Sequence, residues 1–212
     1  MSYFIRLHRQ EVKGRVEEIL KHVYPEMKLR VLFYLCIALS LIIFQENLVR
    51  IVEMGPFKHR IDDGLEARKL AYEIMVSLLE DFFDEMDQEA LVNHACAGLS
   101  DTAMEIRIVC QMAIQKLCFI DMDLVTSKLG EILAALETDI FAKSKPNAVK
   151  QEIEKMNESI RSAVRLLLLI KKVSDSSDIK LIDILSKMKA DGGLDRNLLS
   201  ELESEVSNLV SL

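Results

Sequence analysis

The side chains best equipped for chemistry are few and scattered. Cysteines stand at positions 36, 96, 110 and 118, and His94 lies two residues before the second of them. Thiolates and imidazoles are the ligands of structural zinc, so His94, Cys96, Cys110 and Cys118 make a conceivable four-ligand set. Against it, no pair has the CxxC spacing, and Cys110 and Cys118 fall on the apolar stripe of one helix. The cysteines are therefore expected to be reduced, buried thiols of an intracellular protein. No metal and no other cofactor is expected. Asp62-Asp63 is explained by the start of a helix, and His59 and His94 by a hairpin surface and a helix. No nucleophile is paired with a base and no Gly-rich phosphate loop occurs, so the expectation is a protein that is not an enzyme.

What remains is the chemistry of contact. Leu48 to Gly64 reads Leu-Val-Arg-Ile-Val-Glu-Met-Gly-Pro-Phe-Lys-His-Arg-Ile-Asp-Asp-Gly. Two short β-capable arms, Val49–Val52 and Lys58–Ile61, flank Gly55-Pro56. Glycine relaxes the backbone and proline removes a ladder donor, which predicts a reversal there. Met54 and Phe57 then fall near a tip, with basic residues close behind. Met and Phe are typical interface anchors, but they could equally tuck back onto the following helix.

The elements that must carry this segment are helices. The chain has 212 residues, half of them hydrophobic, with only seven glycines and three prolines. So few breakers suit long helices joined by short connections, and the class is all-α. A net charge of −7 argues against nucleic acid as the main ligand. Apolar spacing predicts helices over Gln10–Tyr24, Met27–Gln45, a wide stripe through Leu70, Ile74, Leu78 and Phe82 with Ala67, Ala71 and Met75 alongside, and one from Asp87 to Leu99. Others run from a cap at Asp101 to Phe119, from Asp121 or Asp123 to Leu136, from Ala148 to Val173, over Ile179–Lys189 and over Leu194–Leu209. Pairs recurring at a period near 40 suggest a HEAT or armadillo array, and Glu66-Ala67-Arg68 is echoed by Glu105-Ile106-Arg107. An irregular helical bundle gives similar stripes. The run Val31–Phe44 is almost wholly apolar yet short of the roughly 20 residues of a membrane span, so it reads as a buried helix rather than a tether.

Val52-Glu53-Met54-Gly55-Pro56-Phe57-Lys58-His59, then Asp62-Asp63-Gly64-Leu65-Glu66 and Arg68-Lys69, resembles the hallmark stretch of the cullin-associated, neddylation-dissociated family. The stretch lies in that family's C-terminal, TATA-binding-protein-interacting domain. A second similar stretch follows at Lys145, Asn147, Val149-Lys150-Gln151-Glu152, Glu154-Lys155 and Arg161-Ser162-Ala163. The likeness covers roughly Asn47 to Val173. Before Asn47 the chain departs from the family, where a hydrophilic helix precedes the hairpin.

The resemblance implies a HEAT-type α-solenoid with one inserted β-hairpin at about 48–62. Residues 1–46 would be divergent N-terminal helices, 47–173 the C-terminal-type repeats, and 174–212 terminal capping helices. It implies binding to the N-terminal domain of an unmodified cullin, with the hairpin occupying the adaptor surface and ejecting adaptor–receptor modules. Met54, Gly55, Pro56, Phe57, Lys58 and His59 would form the competing tip. The arm that grips the cullin C-terminal region and the RING subunit in the family has no counterpart in these residues. A second chain supplying the missing repeats is thus a further expected partner, and binding by this chain alone is expected to be weaker. The expected location is cytoplasm and nucleus. The alternative is a generic HEAT scaffold with a different protein partner, a transcriptional one being among the options.

Overall fold

Residues 48–55, 57–144, 148–174, 178–190 and 193–211 are described by a computed structural model. The predicted helices Gln10–Tyr24 and Met27–Gln45, with Cys36 and the apolar run, lie outside them. The order is β1 (Val49–Met54), β2 (Phe57–Asp62), α1 (Leu65–Asp81), a 3-10 turn (Phe83–Glu85), α2 (Gln88–Leu99), α3 (Met104–Ile120), α4 (Met122–Ser127), α5 (Leu129–Ile140), α6 (Lys150–Val173), α7 (Ile179–Lys189) and α8 (Arg196–Val210). The fold is all-α and HEAT-type with one inserted hairpin. The chain divides into two compact units, Met1–Asp87 and Gln88–Leu212.

In the first unit, β-branched residues at 49, 51 and 52 favour an extended arm. The strands pair antiparallel, from Val49 opposite Asp62 to Met54 opposite Phe57. Gly55 takes φ 64°, the positive value that a two-residue hairpin turn asks of its first central position. Past Gly64 the period becomes helical. The buried face of α1 is Arg68, Ala71, Tyr72, Met75, Leu78 and Leu79, while Leu70, Ile74 and Phe82 are half-buried and Ala67 is exposed. The wide stripe read from spacing thus includes Ala71, Met75 and Leu78 of the core face and misses Arg68, Tyr72 and Leu79.

In the second unit the helices stack in two rows. Helices α2, α5 and α7 touch in sequence along one row, and α3, α6 and α8 along the other. Within a repeat, α2 packs on α3 and α5 on α6. Each amphipathic stripe is buried only by its neighbours, which is the logic of a repeat array. Helix α6 is the hub. Its first turns are exposed, but Leu166–Ile170 are buried all round because α3, α5 and α8 enclose that half.

Side-chain caps start three of these helices. Asp121 accepts from Leu124 N at 2.9 Å, Asp178 from Leu181 N at 3.0 Å, and Asp195 from Asn197 N and Leu198 N at 2.8 and 3.1 Å. Two expectations need correction. Asp101 does not cap α3; it folds a local turn by accepting from Ala103 N at 2.8 Å, and the helix begins at Met104. The segment after Asp121 is two helices, broken at Lys128. Thr126 and Ser127 hydroxyls donate to the carbonyls of Met122 and Leu124, competing with the helix ladder just before the break. Among the described residues no helix is long and apolar enough to cross a membrane.

Candidate partner-binding site

Among the described residues, the hairpin carries exposed apolar side chains outside the helical core. Ile51 is 69% exposed on β1, and Leu48 and Ile61 are partly exposed beside it. Near the turn, Lys58 and Glu53 pair across the strands at 3.2 Å, both well exposed. Such a pair contributes little to stability and leaves two opposite charges available at the surface. Met54 closes β1 and Phe57 opens β2 as the last ladder pair, Gly55 stands in the turn, and His59 is registered opposite Val52. Pro56 lies outside the described residues. Five of the six candidate residues are thus brought together by one turn.

At the other end, the hairpin is fastened to α1. Asp62 accepts from Arg68 Nη1 and Nη2 at 3.1 and 2.7 Å, and from Gly64 N at 3.1 Å. Arg50 donates to Asp63 at 2.5 and 3.3 Å, and this contact raises the Arg50 pKa. The backbone closes with Asp63 N on Leu48 O at 3.1 Å. Asp62-Asp63 is therefore less a helix start than a clasp. Sequence reading missed Arg50 and Arg68 in this role, although Arg68 stands within the quoted family stretch.

The echo between Arg68 and Arg107 has a physical counterpart. Each lies in the first turn of its helix and reaches back six residues, Arg68 to the Asp62 carboxylate and Arg107 Nη1 to the Asp101 carbonyl at 2.8 Å. Arg107 Nε also donates to Asp139 at 2.8 and 3.2 Å, and Gln111 donates to the same carboxylate at 2.9 Å. Asp139 is 6% exposed. Burial pushes its pKa up, while Arg107 and then Gln111 draw it down. Arg107 was visible as a charge inside an apolar run, Ile106-Arg107-Ile108, whereas Asp139 follows Glu137-Thr138 and gave no such signal. It fastens α3 to α5.

Cys96, Cys110 and Cys118 are buried free thiols on α2 and α3. Among the described residues no group of three or more His, Cys, Asp or Glu is arranged to hold a metal. Burial pushes the Cys96 and Cys118 thiols up to about 12. Thiolate is the reactive form, so neither should react with iodoacetamide at pH 7.5 in the folded chain, and both should react in denaturant. Mass spectrometry of the two samples checks this; modification of folded Cys118 would contradict the packing of α3.

Comparison with known proteins fits this architecture. The family model described as TATA-binding protein interacting (TIP20) matches residues 32–191. The chain belongs to this family. The match is wider than the motifs suggested, starting inside the apolar run and ending beyond α7. Cullin-associated NEDD8-dissociated protein 1 of Dictyostelium discoideum is 36% identical over 133 residues, 63% of this chain and 11% of that protein. Cullin-associated NEDD8-dissociated protein 2 of Mus musculus is 36% identical over 154 residues, 73% and 11% respectively. A protein of Emericella nidulans named as the C-terminal part of cullin-associated NEDD8-dissociated protein 1 is 36% identical over 120 residues, 57% and 11%. The family resemblance read from Val52–His59 is borne out. The matched part spans 11% of each of these relatives' length.

Proposed function

We propose that this TIP20-family chain is a non-enzymatic binding module for the N-terminal domain of a cullin. Its hairpin competes there with adaptor–receptor modules, and so regulates assembly of cullin–RING ubiquitin ligases. The observation that carries this reading is a hairpin clasped to α1 at its base, with exposed Ile51 and an exposed Glu53–Lys58 pair near its turn. The names of the relatives supply the kind of partner. Met54, Gly55, Pro56, Phe57, Lys58 and His59 form the competing tip, since apolar anchors flanked by charge are what a partner surface rewards. A second chain carrying further HEAT repeats would add affinity by linkage. The work would be done in cytoplasm and nucleus.

The test is capture of a purified cullin N-terminal domain, with and without its adaptor bound. Capture of the free domain alone is expected, abolished by Met54→Asp plus Phe57→Asp in a chain whose circular dichroism is unchanged. Equal capture with adaptor present would end the competition mechanism. The family's name points to one other partner, TATA-binding protein, and a parallel arm with that protein decides between the two.

A further inference from the structure

A two-stranded hairpin is marginal by itself, and its own ladder does not fix the angle at which it leaves a helix. Here the covalent link between β2 and α1 is only Asp63-Gly64. We propose that Asp62 and Arg68 are positioning residues that set this angle, presenting the tip to its partner already oriented. The inference rests on the cullin-binding reading for its purpose, but not for its geometry.

Both Asp62 oxygens are engaged: Oδ1 by Gly64 N and Arg68 Nη1, Oδ2 by Arg68 Nη2. A two-pronged guanidinium–carboxylate contact fixes direction as well as distance. The Arg68 and Asp62 side chains are 9% and 19% exposed, so solvent and salt screen them little. Two further hairpin pairs among the described residues, Arg50–Asp63 and Glu53–Lys58, are largely exposed and hold far less firmly. The joint itself is crowded, since a Cβ on Gly64 would meet Leu48 Cδ1 at 3.1 Å and Arg68 Nη1 at 3.3 Å. One buried clasp and one filled joint therefore leave the hairpin a single seat on α1.

A lysine at 68 would keep the charge but not the fork. The hairpin would then sample several angles, and its apparent affinity would fall with the fraction correctly oriented. If that fraction is about a tenth, binding weakens about tenfold.

The experiment uses the full chain with spin labels, attached by non-cysteine chemistry, at exposed Ile51 and Glu80 for the distances, and the unlabelled chain for binding. The wild-type chain is expected to give one narrow distance distribution. Arg68→Lys and Asp62→Asn should broaden it, with amide exchange of the hairpin ladder unchanged and cullin binding about tenfold weaker. Glu53→Gln should alter neither distance nor fold. A narrow distribution in both clasp variants overturns the proposal, as does loss of ladder protection, which would make the pair a support of the hairpin rather than of its angle. Failure of the wild-type chain to bind cullin would sink the functional reading, while the distances still decide the positioning.

Discussion

Replacing Arg107 with leucine should lower the stability of the unit Gln88–Leu212 by about 3–5 kcal/mol, because it strands a buried carboxylate. Asp139 is 6% exposed and draws its charge partner from Arg107 Nε, with Gln111 as a second donor. Removing the guanidinium also frees the Asp101 carbonyl, so the turn into α3 loses its brace. In a chain of this size the loss corresponds to roughly ten degrees in Tm. The pH dependence carries its own signature. Burial already raises the Asp139 pKa above its ordinary value, and Arg107 is the main influence lowering it. Without Arg107 the pKa climbs further. The folded state then holds a proton that the unfolded chain has released, so stability falls as pH rises through that window. Arg107→Leu should therefore be less damaging at pH 5 than at pH 8, by thermal unfolding at both. Equal loss at the two values would mean that Asp139 is not the stranded group.

Truncating the hub should cost nearly as much and should spread differently. Leu167 is fully buried on α6, which packs on α3, α5 and α8. Leu167→Ala is expected to cost about 2–5 kcal/mol, and faster amide exchange should appear in all three neighbours. Leu202 is equally buried, but α8 contacts chiefly α6. Leu202→Ala should open the terminal pair α7–α8 and leave α2 and α3 protected, as expected of nearest-neighbour stacking. Uniform loss of protection in both variants would show one cooperative core instead of a serial one.

These contrasts also mark what the sequence could convey. Helical periodicity placed α2, α6, α7 and α8 closely, because apolar spacing is local and each stripe is wide. Gly55-Pro56 and the β-branched arms placed the hairpin for the same reason. Long-range partners were harder. Nothing near Arg107 announces that its carboxylate lies on the next repeat, at Asp139. The core face of α1 was read only in part, through Ala71, Met75 and Leu78, because buried Tyr72 and Arg68 do not count as apolar signals in a spacing pattern. The break at Lys128 is set by hydroxyls that can sit quietly in a helix or interrupt one. The six tip residues were found through family likeness added to turn chemistry, whereas their support at Asp62 and Arg68 is visible only in three dimensions.

The exposed connection from Phe141 to Ser144 stands between α5 and an α6 that is buried against both α3 and α5. A protease cutting there would sever the chain without removing the surfaces that hold its halves together. The second unit is thus built like a molecule that could be made in two pieces and still assemble.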